Sequence, residues 1–257
     1  MTEVFGQSDF GVRFDWGPTG AHELGADVAV IVDVLSFSTS VTIAVERGMR
    51  VLPYPWKDVR AAEFAAAHGA LLAVGRLESA KEGSVVAPSL SPAGLLDCSV
   101  EARIVLPSPN GSTIAARLAD TGSTIAIGCL RNAGAVARWL GRRLDEGRSV
   151  AVIAAGERWG SDDSLRPAVE DQLGAGAILA NLRAQGYGDM FSAESDATAA
   201  IFDAVAGRLG EAVHHCVSGK ELSAKGYFAD VEVAATLDAS FVVPVLADGS
   251  FGASPLS

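Results

Sequence analysis

The chain has 257 residues, of which 49% are hydrophobic and 20% charged, and its formal net charge is −11 at pH 7. An acidic balance of that size excludes a nucleic-acid partner, because a backbone binder needs a basic face. It still admits a small anionic ligand, since a metal ion or a few local arginines can reverse the field inside a site.

At roughly 100–200 residues per domain, the length suits one large domain or two small ones. We take residues 1–257 as a single α/β domain, with two lobes split near 98–100 as the alternative. Cys98, Cys129 and Cys216 are too few and too widely spaced for a disulfide framework, and the four histidines show no metal-ligand spacing. No window approaches about 18 uninterrupted apolar residues, so no membrane span is expected. The N-terminus lacks the basic and apolar regions of a signal peptide, and a cytoplasmic protein is expected. The apolar content is high for one domain and leaves room for a homo-oligomer.

In chain order, residues 10–16 alternate weakly and read as an edge strand closed by Gly17-Pro18. The unbroken apolar run from Val28 to Val32 reads as a strand buried on both faces. A short helix over 39–47, ended by Gly48, leads to a strand over 50–54. Residues 57–68 are strongly helical with Gly69 at the C-cap position, and 70–74 form a strand before a Ser-, Gly- and Pro-rich loop reaching residue 97. The pattern then repeats as strand 102–106, loop 107–111, helix 112–119, strand 124–127 and loop 128–132. A helix over 133–146 carries Val136, Leu140 and Leu144 on one stripe, and strand 149–155 follows. The helix over 167–185 carries Val169, Leu173, Ala177 and Ala180 on one face. Beyond Gly186, residues 196–206, 211–216 and 220–224 read as helical, and 241–246 as a late strand that Pro244 places at a sheet edge. The last dozen residues are expected to fray.

Repeated alternation of strand and helix predicts a three-layer α/β/α fold with a mostly parallel, mixed central sheet. Ligands of such sheets bind beyond the carboxyl ends of the strands. The polar clusters 33–40, 75–79, 108–113, 128–132 and 156–161 each follow a predicted strand, so they should converge on one face.

Asp33 ends the apolar strand and is followed at once by Ser36, Ser38, Thr39 and Ser40. A carboxylate with hydroxyls suits a site holding a cation and an anionic group together; equally, Asp33 is a preferred helix N-cap. Asn110-Gly111-Ser112-Thr113 has the properties of an anion cradle at a helix N-terminus, with an ordinary capped turn as the alternative. It is not a P-loop, for the spacing and lysine of that motif are missing. The acidic run beyond Gly156, with Glu170 and Asp171, offers hard oxygen ligands for a metal or simple complements to a helix dipole. Arg131 and Asn132 could hold a carboxylate, sulfonate or phosphate, or lie on the surface. Cysteine-phosphatase, histidine-phosphatase, nucleophile-elbow and dinucleotide fingerprints are absent, and the second aspartate of aspartyl-nucleophile phosphatases is replaced by Leu35.

Six blocks in order, VIVDVLSFSTSV, LSPAGL, LPSPNGSTIA, GCLRNA, VIAAGERWG with SLRPAVEDQLGAGAIL, and SGKEL…KGY…DVEVAATLD…VP, resemble the 2-phosphosulfolactate phosphatase family from residue 27 to residue 244. The resemblance implies a single α/β phosphatase-like domain that uses Mg²⁺ to hydrolyse 2-phosphosulfolactate to sulfolactate and phosphate, as in coenzyme M biosynthesis. Its motifs match at Asp33, Asn110, Gly111, Thr113, Asn132, Gly156, Glu170 and Asp171. On chemistry, Asp33, Glu170 and Asp171 would bind the metal and carry catalysis. Asn110 to Thr113, with Ser36, Ser38, Thr39 and Gly156, would cradle the phosphate, and Arg131 and Asn132 would face the other anionic end. Whether Asp33 or a metal-positioned water attacks phosphorus stays open.

Three departures touch substrate recognition more than the acidic cluster. Ser36 stands where the family commonly has arginine, Gly75-Arg76-Leu77-Glu78 displaces a family glutamate, and 82–92 match poorly. The alternatives are therefore a phosphatase of another small phosphoester, a phosphoryl transferase, or a catalytically silent anion-binding or regulatory protein on the same fold.

Overall fold

The computed structural model describes residues 4–55, 60–73 and 90–254. Nine strands form one sheet in the order β1-β7-β2-β6-β10-β11-β3-β5-β4. They are β1 (Val12–Trp16), β2 (Val28–Val32), β3 (Arg50–Tyr54), β4 (Leu71–Leu72), β5 (Arg103–Pro107), β6 (Thr124–Gly128), β7 (Val150–Ala154), β10 (Pro244–Ala247) and β11 (Ser250–Ala253). A separate two-stranded hairpin pairs β8 (Glu157–Arg158) with β9 (Leu165–Arg166).

Strand β2 explains the layering. All five of its residues are buried, and successive side chains point to opposite faces of the sheet. Val28, Val30 and Val32 enter one apolar cluster with Val136, Leu140, Leu173, Ile178 and Phe202. Those partners belong to α6 (Ala133–Asp145), α7 (Val169–Leu182) and α8 (Ala193–Val205). Ala29 and Ile31 enter a second cluster with Leu24, Val41, Ile114 and Leu118. That face is covered by α1 (Gly17–Leu24), α2 (Phe37–Glu46) and α5 (Gly111–Leu118). Helix, sheet and helix make the three layers expected from the alternation of elements.

Strands β1, β7, β2 and β6 run parallel, as do β3, β5 and β4. The hairpin β10–β11 joins the two blocks through antiparallel bridges Val245↔Ala126 and Phe251↔Val51. By these pairing senses the blocks run in opposite directions. Residues of both, including Ile31, Ile104 and Leu106, share the second apolar cluster with Phe251 of the hairpin. The loops that follow β2 and β5 meet against it.

Several elements differ from the sequence reading, each for a physical reason. Pro244 is not at a sheet edge: it opens β10, an interior strand, where a first-residue proline is tolerated. Most of the last dozen residues do not fray, because Ser250–Ala253 pairs with β10 and Phe251 is fully buried; residues 255–257 lie outside the described residues. The edge strand β1 does end at Gly17-Pro18 as expected, but these two residues also open α1, consistent with proline's preference for the first helical turn. The stretch read as a loop to residue 97 contains α4 (Pro92–Asp97), whose first turn is capped by Ser91; its residues 74–89 lie outside the described residues.

In α7, Val169 is 53% exposed while residues around the helix from Glu170 to Leu179 are buried, so the helix is enclosed rather than one-faced. The C-terminal helical region is denser than expected, with α9 (Leu209–His215), α10 (Val217–Ala224) and α11 (Phe228–Ala235) in succession. Among the described residues, no helix is long and apolar enough to cross a membrane.

Candidate active site

Asp33 follows the last residue of β2 and is 6% exposed. Its Oδ1 accepts a hydrogen bond from the Phe37 backbone N–H (3.1 Å) and its Oδ2 one from the Gly111 N–H (3.0 Å). These donors are the first residues of α2 and α5, so one carboxylate sits where two helix N-termini meet. Free N–H groups and helix dipoles favour negative charge at such a point. Gly111 is required by the close approach: a Cβ there would overlap the Phe37 ring.

The hydroxyl residues that follow divide into two sets. Ser38 Oγ donates to Ile31 O (3.0 Å) and accepts from Asp33 N (2.9 Å), and Thr39 Oγ1 donates to Val34 O (2.8 Å). Both side chains are fully buried and tie the strand end to α2. Ser36 and Ser40 instead line a cavity of about 180 Å³, together with Asp33, Ser108, Asn110 and Glu157. In the first turn of α5, Ser112 Oγ donates back to Leu106 O (3.2 Å) and Thr113 Oγ1 to Pro109 O (2.7 Å) in the loop after β5. Those two hydroxyls hold the loop's shape, while the Asn110 side chain reaches the cavity.

Asp171 and Gly156 close the third side. Asp171 is 3% exposed; its Oδ1 accepts from Val34 N (2.7 Å) and its Oδ2 from Gly156 N (2.9 Å). It therefore clamps the loop after β2 to the loop after β7. Gly156 has a positive φ of 69°, and a Cβ there would lie 2.7 Å from Leu165 Cδ1. Burial pushes the Asp171 carboxyl well above the usual carboxylate range, aided by Asp33, Glu170 and Glu157 and opposed by the Val34 N–H. Glu170 is 2% exposed and lies against Cys216, whose thiol is pushed up to about 12 by burial and then by Glu170.

Arg131 and Asn132 do not line this cavity. Asn132 accepts from Cys129 N (2.9 Å) and donates to Ile127 O (3.2 Å) and Val242 O (3.0 Å), which fixes the turn after β6 to the chain leading into β10. Arg131 is 8% exposed and its Nη1 donates to Val233 O (3.1 Å) in α11. Of the five polar clusters, those after β2, β5 and β7 converge; the segment 75–79, with Arg76 and Glu78, lies outside the described residues.

Glu157 was not assigned a role by sequence reasoning, although it directly follows Gly156 in the acidic run. Its Oε2 accepts from Asn110 Nδ2 (3.1 Å), and its carboxyl is pushed up to about 7 by burial and then by the nearby Asp33 charge. The Asn110 hydrogen bond works against that rise. A carboxylic acid that titrates near neutrality beside a cavity can hold or give up a proton at a working pH.

Asp33, Glu157, Glu170 and Asp171 thus form a cluster whose members raise one another's affinity for protons. Hard oxygen donors under mutual repulsion match a small divalent cation in kind. Among the described residues, no three His, Cys, Asp or Glu side chains are already arranged as a ligand set.

The fold and the site together define an α/β enzyme with a carboxylate-centred cleft at the ends of its strands. The 2-phosphosulpholactate phosphatase family profile matches residues 18–249. A probable 2-phosphosulfolactate phosphatase of Deinococcus radiodurans is 29% identical over 228 residues, covering 87% of this chain and 89% of that protein. A 2-phosphosulfolactate phosphatase of Methanothermobacter thermautotrophicus is 28% identical over 225 residues, covering 88% and 89% respectively. The chain belongs to the 2-phosphosulpholactate phosphatase family, whose members are hydrolases of phosphoric monoesters.

Proposed function

We propose that the protein hydrolyses the phosphate ester of a small anionic hydroxy acid, 2-phosphosulfolactate, to sulfolactate and phosphate, with Mg²⁺ as cofactor. The observation that carries this reading is the Asp33 carboxylate at the junction of two helix N-termini, on the wall of a cavity that Glu157 and Asn110 also line. Support also comes from the family and from the names of the two relatives.

In this reading the phosphoryl group occupies the cavity. The Ser36 and Ser108 hydroxyls and the Asn110 amide border it, and they supply donors for oxygens that gain charge as the ester bond breaks, while the Ser40 hydroxyl is held by Leu90 O. Water attacks phosphorus while the bond from phosphorus to the alkoxy oxygen breaks, and one water proton passes to the carboxylate that Glu157 has become. In the two-step alternative Asp33 attacks first, and water then breaks the aspartyl phosphate to free phosphate and the carboxylate. Glu157, protonated near neutral pH and fixed by Asn110, gives its proton to the departing alkoxide. Asp171 keeps the two loops in register through Val34 and Gly156. Asp33, Glu170 and Asp171 would hold Mg²⁺, which when bound supplies neutralising charge for the phosphate and orients water.

The test is phosphate release from 2-phosphosulfolactate and a panel of other small phosphate esters, with Mg²⁺ and with chelator. Release that is fastest with 2-phosphosulfolactate and lost in chelator is expected. Release that persists in chelator would remove the metal from the reading, and a different preferred ester would replace the substrate.

A further inference from the structure

A second cavity of about 240 Å³ opens beside the first and shares Asn110 and Glu157 with it. Its character is different. Arg117 and Arg158 line it, with Asp163 and Leu165 on the hairpin side and Pro18 and Thr19 from α1. Two arginines line one hollow of a protein whose net charge is −11. Arg117, in the last turn of α5, pairs with no acidic group among the described residues. Arg158 Nη1 donates to Asp163 Oδ2 (2.9 Å) and O (3.2 Å). The Arg158 and Asp163 side chains are 34% and 77% exposed, and an ion pair so open to water contributes little and exchanges partners readily.

We infer that this annex seats the second anionic group of the substrate, a sulfonate or carboxylate, between Arg117 and Arg158, with Asp163 as the internal carboxylate that the incoming anion displaces from Arg158. The inference rests on the phosphatase reading for the position of the phosphoryl group, and it assigns the anion-recognising role to residues other than Arg131. Guanidinium forks match oxyanions in geometry and charge. Asn110 and Glu157 stand at the threshold, which places the scissile ester between the carboxylate-rich cavity and the arginine-lined annex. A substrate with an anion at each end would span both.

Three esters separate the contributions: 2-phosphosulfolactate, 2-phospholactate, which has the carboxylate alone, and glycerol 2-phosphate, which has neither. In Arg117→Ala and in Arg158→Ala, the ratio of kcat/KM for 2-phosphosulfolactate to that for glycerol 2-phosphate should fall by about tenfold or more, the loss expected for a charged hydrogen bond. The fall should lie in KM rather than kcat. Asp163→Asn should lower KM for 2-phosphosulfolactate. If 2-phospholactate falls with it, the carboxylate is the group held; if not, the sulfonate is. An unchanged ratio in both arginine variants overturns the inference. Should the wild type release phosphate from none of the three, the phosphatase reading fails, and calorimetry with sulfolactate still decides the annex. Affinity weakened by about tenfold in the arginine variants would support the annex, whereas unchanged affinity, or no binding to the wild type, overturns it.

Discussion

Asp33 binds two helix N-termini at once, since its Oδ1 accepts the first N–H of α2 and its Oδ2 the first N–H of α5. That geometry depends on Gly111 having no side chain. Gly111→Ala would drive a methyl into the Phe37 ring and should destabilise the fold by about 1–3 kcal/mol, the usual cost of overpacking, read as a lower denaturation midpoint. Glu157 makes a pH prediction. Its folded-state value, about 7, exceeds the ordinary 4.5, so the fold favours the protonated form. Its contribution to stability is therefore complete below pH 4.5 and is lost as pH rises through 7. In chelator, thermal stability should fall less between those limits in Glu157→Gln than in the wild type; equal falls would contradict the assignment. At this scale the sequence was informative about residue type and poor about direction. An arginine after Cys129 resembles an anion ligand in any strand-end loop, but only the packing of α11 shows its guanidinium turned toward Val233 O. Glu157 was hidden for the opposite reason, as one carboxylate in an acidic run with no local sign that burial would single it out.

Strands β2, β6 and β7 were legible because their apolar runs are unbroken and must be buried on both faces. The C-terminal hairpin was not. Pro244 resembles an edge signal, and the segment around Phe251 is short and glycine-flanked, so its place between two parallel blocks is decided by tertiary pairing rather than by local pattern. That hairpin also reaches the site, because Phe251 packs edge-on against Phe37, with ring centroids 6.4 Å apart. Phe251→Ala should cost about 3–5 kcal/mol in chemical denaturation, the range for a fully buried phenylalanine. A loss below about 1 kcal/mol would mean that β11 is peripheral. Helix α1 was missed because Gly17-Pro18 was read only as the end of a strand, although proline near a helix start is as common a signal.

Across the whole molecule, a net charge of −11 and a cluster of buried carboxylates are an unfavourable setting for a phosphate ester unless positive charge is brought to it. A divalent cation on one side and the Arg117 and Arg158 annex on the other would do so. Saturating Mg²⁺ should therefore stabilise the folded wild type, by about 2.7 kcal/mol at a hundredfold excess over its Kd. The layered fold and the meeting of the β2 and β5 loops were readable from strand and helix alternation, whereas the opposed directions of the two blocks, joined through β10 and β11, were not. The most direct measurement is phosphate release from 2-phosphosulfolactate by the wild type and by Asp33→Asn, both folded and supplied with Mg²⁺. Turnover by the wild type that falls by at least about a hundredfold in the variant is the expected result, the lower end of what a positioned catalytic group contributes. Turnover undiminished in Asp33→Asn would contradict a reaction centred on this carboxylate.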